Sequence, residues 1–508
     1  MRYNISSYFE ETVEKFPNKI AIIDGDKEIN FKDLEQNSKK LAYRIIKSEI
    51  INSPIAVYLP KSIESIYSNI GITYSGNTYM NLDIKSPVER VKNIFARIQP
   101  RVVISNSALI KKINDVLPEG ILIINLDDFN FDEGYDQKVI SERLYRIIDA
   151  DPLCIINTSG STGTPKGVVL NHKSFIDFTE WSLSAFEFSD NEIIGSLSPL
   201  VFDIYSFELC LLMAKGATMV LIPDSLAAFP VKILELMQLH KVSFIFWVPT
   251  IMVNIANMDL LRTDYLKDLR LVWFAGEVFP TQQFNYWRKN LPKVLFANLY
   301  GPIEITLDCT YYIVEREIED NEPIPIGYAC KNTDILILND QDKLVNGNEE
   351  GELCVRGTSL AMGYYNNPEK TAQAFVQNPL NNSYPEIMYR TGDIVSVNER
   401  GEIVFKGRKD SLIKHLGYRI ELGEIEHVVV NTLKIVKNAC VVYNFPLKEI
   451  TLIYEADSEM PVKEFRNLIS KKLPKYMVPT VFKQKAILPR NTNGKIDRLA
   501  LSNEVNCI

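Results

Sequence analysis

The chain has 508 residues, more than the roughly 100 to 200 of one ordinary domain, so two or more folding units are expected. With 46% hydrophobic and 24% charged residues, 23 glycines and 25 prolines, the composition excludes collagen-like, disulfide-scaffold and disordered chains. A formal net charge of -8, from 56 basic and 64 acidic residues, offers no basic footprint for nucleic acid.

Met1 to Ser6 lacks the apolar core and small-residue cleavage site of a signal peptide. Ile5, Tyr8, Phe9, Val13 and Phe16 then follow helical spacing, and short apolar runs such as Ile55 to Tyr58 and Val102 to Ile104 alternate with helical stretches. The alternation continues through about Phe405 and predicts layered sheets covered by helices. Val242 to Met258 is the most apolar stretch, but Ser243, Pro249, Thr250 and Asn254 break it short of the roughly 18 clean residues of a membrane span, so it reads as buried core.

Past Gly407 the texture changes to a strand-like stretch from Ile413 to Leu422, a helix from Glu424, strands Ala439 to Tyr443 and Thr451 to Tyr454, and a helix Val462 to Leu473. The expected division is a large α/β part, residues 1–408, and a small α+β part, residues 409–508, hinged at Asp410 and able to turn as a rigid body. The seven cysteines form no Cys-x-x-Cys pair, and His172, His240, His415 and His427 stand far apart, so neither a zinc site nor a disulfide framework is expected. Reduced thiols suit a cytoplasmic protein.

The segment carrying the most chemistry runs Thr158, Ser159, Gly160, Ser161, Thr162, Gly163, Thr164, Pro165, Lys166, Gly167, between apolar Leu153 to Ile156 and Val168 to Leu170. It reads as a loop between two strands. Glycines let backbone N–H groups turn towards an anion, five hydroxyls add donors and Lys166 adds charge, so a polyphosphate fits. A Walker loop is excluded, because Pro165 precedes the lysine and a β-branched run follows.

With this loop, five further segments resemble the adenylate-forming (ANL) enzymes, specifically the amino-acid adenylation domains of nonribosomal peptide synthesis and the D-alanine:carrier-protein ligases. They are Asn298 to Glu304, Gly351 to Gly357, Tyr389 to Asp393, Gly417 to Glu426 and Asn493 to Arg498, in the family's order. The resemblance implies coupling of a carboxylate to ATP with loss of pyrophosphate, then transfer of the acyl group to a thiol. It implies Lys495 as the central catalytic cation, Glu304 as the Mg²⁺ holder, Asp393 on the ribose hydroxyls with Arg408 nearby, Tyr300 as the adenine stacking face and Asn298 on the adenine edge. Ile303 stands where the family usually has threonine.

In the same resemblance Pro199 to Asp203 matches the segment whose aspartate receives a substrate α-ammonium, so Asp203 favours an amino acid over a fatty or aryl acid. The pocket walls carried over are Ile204, Phe207, Phe246, Trp273, Ala275, Leu299, Leu307 and Asp308; their bulk favours a small or compact side chain. Asp308 is either an acceptor for a second amine or a partner of some neighbouring group. Phe274 to Val278 is similar to a run in D-alanine ligases, with Ala275 for cysteine, and D-alanine stays a possible substrate. The chain ends ten residues after Arg498. A separate phosphopantetheinylated carrier protein is therefore the expected thiol partner, and an acyl- or aryl-CoA ligase is the alternative.

Overall fold

The structure, a computed structural model, describes residues 3–159, 165–409, 412–456, 460–490 and 496–506. Among the described residues, strands Pro54–Tyr58, Thr78–Asn81, Val102–Ser105 and Leu122–Asn125 run parallel in a seven-stranded sheet that also holds the antiparallel pair Pro152–Thr158 and Lys166–Asn171. A nine-stranded sheet has Ile193–Ser196, Thr218–Leu221, Phe244–Trp247, Leu271–Phe274 and Leu295–Tyr300 in parallel at its centre. A five-stranded antiparallel sheet follows, from Thr333–Leu338 to Ile403–Arg408.

Parallel strands covered on both faces need continuous apolar runs. Phe244–Trp247 and Leu271–Phe274 are such runs, buried along their whole length. The helix Asp203–Lys215 has every residue from Ile204 to Met213 buried, as a helix enclosed on all sides must. The spacing at the N-terminus does give a helix, Ser6–Lys15, which buries Tyr8, Phe9 and Val13. The apolar stretch after Val242 divides into strand Phe244–Trp247 and helix Pro249–Asn257, and no described helix is long and apolar enough to cross a membrane.

One expectation is corrected in the C-terminal part. The strand-like stretch Ile413 to Leu422 is a hairpin of Leu412–His415 and Tyr418–Glu421, turning at Leu416 (φ 54) and Gly417 (φ 80). Two successive positive φ values make the kind of tight turn whose twist matches its strands. Helix Leu422–His427, strands Asn438–Asn444 and Glu449–Glu455 and helix Val462–Ser470 follow as expected, and Val481–Gln484 adds a third strand. Apolar residues between Ile413 and Val478 form one core of their own, and Cys440, Val442, Ile453, Leu488, Leu501 and Val505 another.

Candidate functional site

Strands Leu271–Phe274 and Leu295–Tyr300 end at Ala275 and Gly301, and the crevice beyond the carboxyl ends of parallel strands is where α/β sheets bind ligands. A cleft opens there. Asn157, Thr158, Ser159, Asp203, Ile204, Ala275, Ile303, Leu307 and Asp308 line it from the large body, and Lys414, Gly417, Tyr418 and Arg419 line it from the hairpin.

Asp203 opens the enclosed helix, and its Oδ1 accepts from the Ile204 N–H at 3.0 Å. Burial pushes its carboxyl up to about 6. Asp308 follows two residues in the left-handed region, Thr306 (φ 55) and Leu307 (φ 67), a conformation that costs roughly 1–3 kcal/mol per residue and has to be held by its surroundings. Gly301 permits it, since a Cβ there would lie 2.3 Å from the Leu307 carbonyl oxygen and 2.5 Å from Asp308 Cα. Burial and the nearby Asp203 push Asp308 well above the usual carboxylate range.

Four expected wall residues do not reach the cleft surface. Phe207 stacks on Trp273 with ring centroids 5.1 Å apart, Phe246 meets Trp273 edge-on at 5.4 Å, and these three and Leu299 are buried in the core that backs the cleft. Phe207 sits one helical turn deeper than Asp203, which is why the same helix face gives one lining and one backing residue. Ile204, Ala275, Leu307, Asp308 and Ile303 do line it.

Of the residues expected around the adenine and ribose, Asp393 accepts from Arg408 at 2.5 Å and from the Tyr300 hydroxyl, so these three are brought together. The Tyr300 ring lies 6.4 Å from that of Phe405. Asn298 donates one of its amide hydrogens to the Pro325 carbonyl at 2.8 Å.

The phosphate-loop flanks are occupied by the hairpin. Ser159 Oγ donates to the Arg419 carbonyl at 2.8 Å and accepts from the Glu421 N–H at 3.0 Å, while Lys166 Nζ pairs with Glu421 at 2.7 Å. Glu304 pairs with Arg419 at 2.6 Å and accepts from the Tyr364 hydroxyl at 2.8 Å. Burial alone would raise the Glu304 carboxyl, but Arg419 and Lys166 override it and hold it below its ordinary value. Arg90 pairs with Glu424 at 2.5 Å, and the Gly417 N–H donates to Glu277 at 2.7 Å. Lys414 is lowered by burial, against the pull of Asp393, Asp308 and Asp203.

Gly160, Ser161, Thr162, Gly163, Thr164, Asp410 and Lys495 lie outside the described residues. Sequence reasoning missed Lys414, Arg90 and Tyr364, and it quoted Arg419 and Glu421 inside a motif without giving them a task. No group of three or more His, Cys, Asp or Glu that could hold a metal occurs among the described residues. One buried carboxylate still suits Mg²⁺, which is commonly held by one or two carboxylates with phosphate oxygens and water completing the shell, provided Arg419 gives way.

A family model described as AMP-binding enzyme matches residues 9–365. Zwittermicin A synthase ZmaJ of Bacillus cereus is 29% identical over 98% of this chain and 94% of its own length. The chain spans 45% and 44% of the length of two further curated relatives. Among solved structures, the Vibrio cholerae adenylation domain AlmE, in complex with glycyl-adenosine-5'-phosphate, superposes with a TM-score of 0.86 at 20% identity over 99% of this chain and 98% of its own. Holo-PA1221, an NRPS protein containing adenylation and PCP domains, gives 0.84 at 22% identity over 98% and 84%. The expected fold, a large α/β part of layered sheets followed by a small α+β part, is the fold these structures share with this chain.

Proposed function

The chain belongs to the AMP-binding enzymes, the adenylate-forming ligases that use ATP, and on that premise we propose that it activates an amino acid and passes it to a carrier-protein thiol. The observation that carries this reading is the convergence of half-buried Asp203 and the expected phosphate-loop flank Thr158 and Ser159 in one cleft. A buried carboxylate needs a charged partner, and a substrate α-ammonium provides one. AlmE, with its bound glycyl adenylate, supports the amino-acid reading.

In the first half-reaction the substrate carboxylate attacks the α-phosphorus of ATP and pyrophosphate leaves. Two anions must meet in line, so fixed positive charge and positioning supply the rate. Asp203 anchors the α-ammonium, Asp393 and Arg408 take the ribose, Lys166 and the loop hydroxyls hold the phosphates, and Lys495 spans the two reacting anions. Glu304 would hold a Mg²⁺ ion once Arg419 withdraws, and that ion would supply further charge neutralisation on the polyphosphate.

The second half-reaction calls for a different arrangement. Glu421 sits on Lys166 and Arg419 sits on Glu304, so the docked hairpin and the magnesium–polyphosphate group compete for the same residues. Adenylation therefore requires the hairpin to withdraw, and the docked arrangement belongs to thioester formation, after pyrophosphate has gone. Residues 409–508 move as the unit that carries hairpin and Lys495, turning at Asp410. The adenylation and PCP domains of PA1221 support a carrier protein as the acceptor.

ATP–pyrophosphate exchange across L- and D-amino acids, D-alanine included, and across fatty and aryl acids tests the reading. Exchange driven by an amino acid is expected. Exchange driven only by fatty or aryl acids, with CoA as the working acceptor, would replace it with an acyl- or aryl-CoA ligase.

A further inference from the structure

Two carboxylates face this cleft, the half-buried Asp203 and the buried Asp308, and an ordinary amino acid brings one ammonium. Asp203 has the Ile204 N–H at 3.0 Å, whereas the side chain of Asp308, 4% exposed, has no hydrogen bond or ion pair among the described residues. Of its charged neighbours, Asp203 weighs more than Lys414, so repulsion from the second acid is not cancelled by the nearby lysine. Lys414 itself senses Asp393 ahead of either acid, and it arrives on the hairpin that must withdraw before adenylation.

A neutral hydrogen bond to a substrate hydroxyl is made as well by serine or asparagine, with none of the cost of burying a charge. A buried carboxylate beside another is a poor choice for that task and an apt one for a cation, because two like charges at close range repel and a cation between them relieves the repulsion. Space limits the length of that substrate. Phe207, Phe246 and Trp273 close the core behind the cleft, with Phe207 stacked on Trp273 at 5.1 Å.

We propose that Asp308 is a specificity-determining residue that receives a second ammonium, and that the substrate is a short-chain diamino acid of the 2,3-diaminopropionate or 2,4-diaminobutyrate type. The proposal rests on the amino-acid reading above and adds the class of side chain to it. Asp203 takes the α-ammonium and Asp308 the side-chain ammonium, so the reacting carboxylate is turned towards the phosphate-loop flank at Thr158 and Ser159.

The experiment compares each diamino acid with its hydroxyl counterpart in ATP–pyrophosphate exchange: 2,3-diaminopropionate with serine, and 2,4-diaminobutyrate with homoserine, with alanine, ornithine and lysine alongside. The wild-type chain is expected to favour one of the two short diamino acids over its counterpart by at least ten-fold in kcat/KM, and over ornithine and lysine as well. Asp308→Asn is expected to lower the preference for the diamino acid over its hydroxyl counterpart at least ten-fold. A wild-type preference for alanine, serine or homoserine overturns the proposal, and so does an Asp308→Asn variant that loses both members of a pair equally. The wild-type ratio decides even where the variant does not fold. Exchange with no amino acid at all would bring down the parent reading instead, so the two failures are distinguishable.

Discussion

As the proposed anchor of the substrate ammonium, Asp203 would couple binding to stability. In the unfolded chain its carboxyl ionises near 3.8 and in the fold only near 6, so between those values the unfolded state is the more ionised. Stability therefore falls as pH rises through that window and stays lower above it, by roughly 3 kcal/mol at most. Asp203→Asn should raise the midpoint of thermal unfolding at neutral pH, by roughly 1–3 kcal/mol in stability, while cutting amino-acid-driven exchange by two orders of magnitude or more. A variant that unfolds earlier than the wild type would mean the carboxylate already has a stabilising partner. His172 works in the opposite direction. Its Nδ1 accepts from the Ile5 N–H at 3.1 Å, and burial drops its pKa from 6.5 to about 3. The unfolded chain takes up that proton first, so stability falls as pH drops from 6.5 towards 3, by up to about 5 kcal/mol. Denaturation midpoints against pH should be flatter for His172→Gln over that range; parallel curves would rule His172 out as the source of acid sensitivity.

The hairpin of Leu412–His415 and Tyr418–Glu421 is the element on which the second half-reaction depends in the proposed function. It fits because Gly417 has φ 80 and no side chain: an added Cβ would stand 3.0 and 3.1 Å from Val248 and 3.3 Å from Phe202. Gly417→Ala should disfavour docking by roughly 1–2 kcal/mol, from the left-handed backbone and the contact together. Transfer to the carrier thiol should slow about ten-fold with exchange nearly unchanged; equal loss of both would contradict the division of labour. The hairpin was hard to read in the sequence. Ile413 to Leu422 looks strand-like along its length, and Leu416, a residue that rarely adopts positive φ, gives no turn signal of its own. The strand-flanked phosphate loop was legible because glycine, hydroxyl and lysine at that spacing have few other uses. Depth was not: position along the chain does not tell whether Phe207, Phe246 and Trp273 line a cavity or stand behind it, since an aromatic residue suits both. Lys414 and Arg90 escaped notice because a charged residue is ordinarily solvated, and only the fold buries them among carboxylates.

At the scale of the whole molecule, one cleft is shared by two parts of the chain with separate cores, and the groups that would hold magnesium and polyphosphate are in this arrangement held by the hairpin. In the proposed function that exclusivity orders the two half-reactions, since neither the nucleotide's phosphates nor the hairpin would settle until the other had left. The alternation of strands and helices made the large α/β part readable from the sequence, and the change of texture past Gly407 is where the second part is expected to begin. Which residues of the second part enter the cleft depends on packing over hundreds of residues, as the pairing of Arg419 with Glu304 illustrates. The most direct measurement is the incorporation of labelled pyrophosphate into ATP by the wild-type chain and by Lys495→Ala, each with and without its preferred amino acid. Label should enter ATP only when the amino acid is present and should drop at least a hundred-fold in the variant. Incorporation that ignores the amino acid, or that survives the loss of the lysine, would contradict adenylation by this cleft.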